Sequence, residues 1–164
     1  MTRTRRSTSA DGPALARVDL ATWTWQSSPS EPPDDADSYV FFNERITPDH
    51  VLVAEIDGVV VGFVTLRPVT SLPSNAHVLQ IQGLGVDPAY QGRGVGQALL
   101  EAAVEEARRR GARKLSLRVL GSNTTARRLY ERCGFVVEGV LKDEFYLGGQ
   151  YADDVFMARY LTAD

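Results

Sequence analysis

The run Leu84-Gly85-Val86-Asp87-Pro88-Ala89-Tyr90-Gln91-Gly92-Arg93-Gly94-Val95-Gly96-Gln97-Ala98-Leu99-Leu100 constrains this chain more than any other stretch. It reads as the end of a strand, a glycine-rich turn and the start of an amphipathic helix. Gly92, Gly94 and Gly96 fall at alternate positions and leave the backbone bare where the turn enters the helix. Such backbone can approach a ligand closely and take φ angles that other residues avoid. The helix behind it offers unpaired N–H groups and the positive end of its dipole, so a phosphate or pyrophosphate is the natural guest. Two other phosphate binders are excluded by the neighbouring residues. A P-loop closes on Gly-Lys-Ser/Thr, whereas Gly96 is followed by Gln97-Ala98. A dinucleotide fingerprint has the spacing G-x-G-x-x-G in an early βαβ unit, whereas this turn is G-x-G-x-G and follows an antiparallel hairpin.

With 164 residues, 43% of them hydrophobic, the chain can bury the core of one domain. Its net charge of −3 gives no electrostatic case for nucleic acid as a partner. Arg3, Arg5 and Arg6 make the first ten residues basic, but no apolar stretch follows as a targeting peptide requires. Residues 1–14 are therefore expected to be a disordered basic tail, ahead of a single domain over residues 15–164. No run approaches the ~18 apolar residues of a membrane span. The single cysteine, Cys133, suits a reducing cytoplasm and is expected to be a packed residue.

Along the chain, Ala16 to Trp25 alternates weakly and is expected to be a first strand. A helix is expected from Asp34 or Asp35 to about Arg45, with Tyr39, Phe42 and Ile46 along one side. Val51–Ile56 and Val59–Leu66 flank Asp57-Gly58, the signature of a tight hairpin. His77 to Val86 supplies a third arm. The helix after the glycine turn runs from about Gly94 to Arg110, and its apolar side is formed by Leu99, Leu100, Ala103, Val104 and Ala107. Pairs Glu105–Arg109 and Glu106–Arg110 have the favourable acid-before-base order. A strand over Lys114–Leu120 follows, then a short helix over Thr124–Arg132. Strands at Phe135–Leu141 and Asp154–Leu161 close the chain. The fold class is α/β: a mixed sheet with antiparallel front strands and a central βαβ unit.

Gln91-x-x-Gly94-x-Gly96, opening a helix after a strand, resembles motif A of the GNAT superfamily of acyl-CoA-dependent N-acetyltransferases. Asn123-x-x-Ala126-x-x-Leu129-Tyr130-x-x-x-Gly134-Phe135 resembles a second block of that family, in the family's order. The resemblance covers roughly residues 47–161. It implies that backbone N–H groups within Gln91, Gly92, Arg93, Gly94, Val95 and Gly96 hold the pyrophosphate of acetyl-CoA, with no metal. It implies that the strand carrying Leu84 and Val86 splays at its glycines to admit the pantetheine arm, the N–H of Leu84 polarising the thioester carbonyl. It implies that Asn123, besides capping its helix, bonds the cofactor arm. Tyr130 would protonate the departing thiolate, a phenol (~10) being a reasonable acid for a thiol (~8.5).

Many relatives place a Glu on the strand before motif A. Here Val78, Gln80 and Gln82 stand in that region, so the base is open among His77, Glu138, Asp143, Glu144 and Asp153. The implied reaction is direct attack of a primary amine, on a small molecule or a peptide N-terminus, upon acetyl-CoA. The alternative is a non-catalytic acyl-CoA-binding or regulatory domain of the same fold. Residues 138–142 and 149–157 resemble the tail of the branch that includes ribosomal-protein N-terminal acetyltransferases. Asp34, Asp35, Asp37, Glu44, Asp143, Glu144, Asp153 and Asp154 suggest a cationic acceptor. The final strands of such folds also offer an edge through which a homodimer can form.

Overall fold

In the computed structural model, which describes residues 1–161, the hairpin stands as the sequence predicts. Val51–Ile56 (β2) and Val59–Pro68 (β3) pair antiparallel. Asp57 and Gly58 both turn into the left-handed region, at φ 52° and 77°, as a two-residue hairpin loop requires. Arg3–Arg6 (β1) lies antiparallel to β2. Gly12–Thr22 is a helix (α1), and Val78–Val86 is β4. Val95–Arg109 (α2) and Lys114–Leu120 (β5) follow, then Thr124–Arg132 (α3), Val136–Leu147 (β6) and Gln150–Tyr160 (β7). The seven strands take the order β1-β2-β3-β4-β5-β7-β6. The sheet is mixed: β4 and β5 are parallel over Val78–Ile81, while β5–β7 and β6–β7 are antiparallel.

The chain divides into two compact units. One comprises Met1–Trp23, Pro32–Arg67 and Gln82–Ala103. Its core joins Leu15, Val18, Phe41, Val51, Val53 and Phe63, and Val95, Leu99 and Leu100 of α2 are buried as well. The other comprises Thr24–Glu31, Pro68–Ile81 and the chain from Val104 onward. There Leu115, Leu117, Phe135, Val155 and Met157 are buried. Residues 162–164, the end of the domain expected from sequence, lie outside the described residues. No helix among the described residues is long and apolar enough to cross a membrane.

Three expectations are corrected. Residues 1–14 are not a disordered tail. Arg5 reaches Asp11 at 2.8 Å and Glu55 of β2 at 2.6 Å, so a charge run that looked solvated is a paired strand. Of the strand expected over Ala16–Trp25, Ala16–Thr22 is the second half of α1 and Trp23–Trp25 lie beyond its end. Pro13 occupies its first turn, and Leu15 and Val18, three apart with Ala16 and Arg17 between them, are fully buried, a helical spacing. The helix expected from Asp34 to Arg45 is irregular chain. Asn43 Oδ1 accepts from the N–H groups of Arg45 and Ile46, offering the backbone a local turn in place of helix. Tyr39, Phe42 and Ile46 pack against the core even so.

Smaller differences follow from charge. Glu106, nearly buried, receives both Arg109 and Arg110, at 2.6 and 2.8 Å. Arg108 takes Glu105, so of the two pairs expected only Glu106–Arg110 forms. Strand β6 runs on to Leu147 and β7 begins early, at Gln150; their register shifts between Val137 and Gly139 and between Leu141 and Phe145, where Glu138 and Lys142, Asp143 and Glu144 lie.

Candidate active site

The glycine turn is built entirely within the first unit. Strand β4 ends at Val86, and the Asp87 N–H donates to the Val61 carbonyl at 2.8 Å. The Asp87 carboxylate accepts from the Ala89 N–H and pairs with Arg17 at 2.8 Å, fixing where the chain leaves the strand. Gln91 Nε2 donates back to the Val86 carbonyl at 3.2 Å, so this side chain ties the turn to the strand. Gly92 and Gly94 adopt φ 77° and 80°, and beyond their own chain neighbours no heavy atom of the described residues lies within 4 Å of where their Cβ would stand. The first helical bond here runs from the Ala98 N–H to the Gly94 carbonyl at 3.0 Å. The N–H groups of Val95, Gly96 and Gln97 thus precede the helical ladder. Left-handed glycines in open space, followed by unladdered N–H groups, make a cradle suited to pyrophosphate. Arg93 stacks its guanidinium over Tyr90, 5.2 Å from the ring centroid.

Leu84 and Val86 stand half-buried on the strand leading into this turn. The glycines around Leu84 have a packing cause. A Cβ on Gly85 would stand 2.7 Å from the Phe63 ring, and one on Gly83 would touch Thr65 at 3.4 Å. Gly62, in the hairpin, went unnoticed in the sequence. A Cβ there would meet the Gly85 carbonyl oxygen at 2.9 Å, Leu99 at 3.0 Å and Val95 at 3.2 Å. The first turns of α2 therefore rest on bare backbone, which sets the position of the cradle. Its signal was a lone Gly inside a β-branched run.

Asn123 and Tyr130 belong to the second unit. Asn123 Oδ1 accepts from the Ala126 N–H at 3.2 Å, which confirms the cap and starts α3. The Tyr130 ring is buried edge-on to Phe135, 6.0 Å between centroids. The Tyr130 carbonyl accepts from the Cys133 and Phe135 N–H groups, locking the end of the helix. Burial pushes the phenol up to about 12, so it holds its proton across the neutral range.

The base candidates are less free than they look in the sequence. Glu138 pairs with Lys114 at 2.8 Å. Asp153 accepts from the Asp143 N–H at 2.9 Å and faces Lys142, contacts that hold its carboxyl below the usual range. Asp154 is buried against Arg118 and adds no free charge to an acceptor field. His77 and Glu144 are exposed. In the first unit, by contrast, the Tyr39 hydroxyl donates to Asp19 of α1, a half-buried pair assigned to the wrong elements from sequence. Among the described residues no three His, Cys or carboxylate groups assemble as metal ligands.

A family profile described as "Acetyltransferase (GNAT) family" matches residues 17–135. The L-amino acid N-acetyltransferase AaaT of Escherichia coli is 36% identical over 109 residues, 66% of this chain and 66% of that protein. Against two further curated relatives the matched stretch spans 19% and 42% of their length, so the chain spans less than two thirds of these proteins. The ribosomal-protein-alanine N-acetyltransferase of Brucella melitensis superposes with a TM-score of 0.74 at 26% identity, covering 97% of this chain and 99% of that one. The yncA structure from Salmonella typhimurium, solved with its cofactor acetyl-CoA, superposes at 0.82 with 24% identity, covering 100% and 96%. That last likeness is one of fold.

Proposed function

The chain belongs to the GNAT acetyltransferase family, and from that premise we propose that it transfers the acetyl group of acetyl-CoA to a primary amine, on a small molecule or a peptide N-terminus. One observation carries the reading: two left-handed glycines open to solvent, immediately ahead of unladdered helix N–H groups. That arrangement suits a pyrophosphate, whose oxygens the free N–H groups can bond. The named relatives are N-acetyltransferases of amino acids and of a ribosomal protein. They favour a catalyst over the non-catalytic acyl-CoA-binding alternative.

In this reading, N–H groups within Gln91–Gly96 bind the pyrophosphate, Arg93 adds charge nearby, and Asn123 bonds the pantetheine arm. The Leu84 N–H, ahead of Val86, polarises the thioester carbonyl as negative charge grows on its oxygen. The amine nitrogen attacks the carbonyl carbon, the carbon–sulfur bond breaks, and the Tyr130 hydroxyl supplies the proton the sulfur needs. Burial keeps the Tyr130 hydroxyl protonated at neutral pH, so its proton is in place when the thiolate forms. The acceptor is cationic, drawn by Asp34, Asp35, Asp37, Glu44, Asp143 and Glu144. The protein works in the cytoplasm, and its exposed β6 residues Val136, Val140 and Leu141 offer a homodimer edge.

The test is a panel of amino acids, polyamines and N-terminal peptides, assayed by free thiol released from acetyl-CoA. Thiol release with cationic amines is expected. Silence across the panel, with acetyl-CoA still bound, would return the protein to the non-catalytic class.

A further inference from the structure

Asp19 and Tyr39 form a pair that the cradle and Tyr130 leave unexplained. Both lie in the first unit, on α1 and on the irregular segment before β2. Helix α1 is pinned to the end of β4 at two points. Arg17 donates to Asp87 at 2.8 Å and to the Val60 carbonyl at 3.0 Å. Thr22 Oγ1 stands 3.3 Å from where a Gly85 Cβ would be, and donates to the Asp19 carbonyl at 3.0 Å. Residues three apart share one flank of a helix, with ~5–6 Å between their Cβ atoms. Asp19 therefore lies one helical turn from Thr22, on the same flank of α1, and Thr22 is the residue set against Gly85, which follows Leu84.

The surroundings of the carboxylate are unusual. Burial raises its pKa, and the Tyr39 hydrogen bond pulls it part of the way back. Among the described residues no cation bonds it. The nearest arginine along the helix, Arg17, is taken by Asp87 and Val60. A half-buried carboxylate with a hydroxyl partner and no counter-ion is equipped to receive an ammonium group and its proton. The strand before the cradle offers no carboxylate, only Val78, Gln80 and Gln82.

Resting on the transferase reading above, we infer that Asp19 is a catalytic residue: its carboxylate binds the acceptor's ammonium group and takes the proton that must leave before nitrogen can attack. The step transfers one proton from R–NH3+ to Asp19, leaving a neutral amine and a carboxylic acid. The amine then forms the new carbon–nitrogen bond as the carbon–sulfur bond breaks. Nitrogen sheds a second proton to water to become an amide, the thiolate gains one from Tyr130, and Asp19 then loses its proton to water while Tyr130 regains one from it. Tyr39 is a positioning residue, which orients the carboxylate and tunes its proton affinity.

The experiment measures kcat/KM against pH for the best amine of the panel, with acetyl-CoA affinity by calorimetry, in Asp19→Asn and Tyr39→Phe. Asp19→Asn is expected to lose ~10²-fold or more in kcat/KM, the scale of a general base, with acetyl-CoA affinity unchanged. In Tyr39→Phe the carboxylate loses the bond that favours its charged form, so the acid limb of the profile moves to higher pH. A pair that merely staples the loop to α1 would not move that limb. Wild-type kcat/KM in Asp19→Asn, or an unmoved limb in Tyr39→Phe, overturns the inference. Should Asp19→Asn fail to fold, the Tyr39→Phe profile decides alone. Absence of turnover in the wild type with every amine removes the transferase reading itself and this inference with it, a result distinct from either variant outcome.

Discussion

Gly62 on β3 and Gly85 on β4 approach so closely that a Cβ on the first would stand 2.9 Å from the carbonyl oxygen of the second. The same Cβ would press Val95 and Leu99 of α2, at 3.2 and 3.0 Å. One missing methyl group thus lets hairpin, strand and helix meet, and the cradle is held at the start of that helix. We predict that Gly62→Ala destabilises the fold by ~1–3 kcal/mol, the usual cost of overpacking. It should also weaken acetyl-CoA binding, because the obstructing atom is backbone and the helix has to shift. Urea denaturation and calorimetric titration of acetyl-CoA measure the two effects. An Ala variant matching the wild type in both would show that the contact has room to relax.

Gly94 is a different kind of glycine. Its Cβ would meet nothing, yet its φ of 80° is one that L-residues adopt at a cost. Gly94→Ala should therefore cost ~1–2 kcal/mol in backbone conformation alone. Because the strain falls on the cradle, the KM for acetyl-CoA should rise with kcat little changed, the pattern of lost uniform binding. A fall in kcat at unchanged KM would assign this turn a role other than holding the pyrophosphate.

Tyr130→Phe removes one oxygen from a ring whose packing against Phe135 is unaffected. We predict acetyl-CoA affinity close to that of the wild type and turnover lower by ~10²-fold or more, the scale of general-acid catalysis. Single-turnover thiol release checks the chemical step directly. Full activity in the Phe variant would rule out the hydroxyl as the proton source.

What the sequence made legible follows the range of the interactions involved. Asp57-Gly58, the Asn123 cap and Gly134 act over a few residues, and each stands where local rules put it, Gly134 at φ 88°. Apolar periodicity placed α2 within one residue at each end, and β5 and α3 stand at their expected bounds. The errors sit where a partner distant in the chain decides. Arg5 is fifty residues from Glu55, and without that partner three arginines look like a solvated tail. Asp19 and Tyr39 were obscured twice, since α1 alternates like a strand and the Asn43 turn defeats a helical pattern. Gly62 has no local signal beyond a lone Gly in a β-branched run, because what requires it is the distant backbone and helix that face it.

The N-terminal strand supplies the last prediction. Arg5 bonds both oxygens of Asp11, and its hydrogen bonds hold the Asp11 carboxyl below its ordinary value of 3.8, helped by the Thr8 N–H. A carboxylate whose folded pKa is depressed adds stability that is complete above its unfolded value. That stability drains away as pH falls through the lower, folded value. The wild type should therefore lose stability progressively below about pH 4. Arg5→Ala should cost ~1–3 kcal/mol at neutral pH, since Asp11 and Glu55 lose a shared charged partner that is itself partly exposed. The variant's stability should also fall less steeply in acid, because the interaction that depressed the pKa is gone. Urea midpoints from pH 7 down to pH 3 test both statements together. Parallel curves for the two proteins would mean that β1 is held by its backbone bonds to β2, with Arg5 an onlooker.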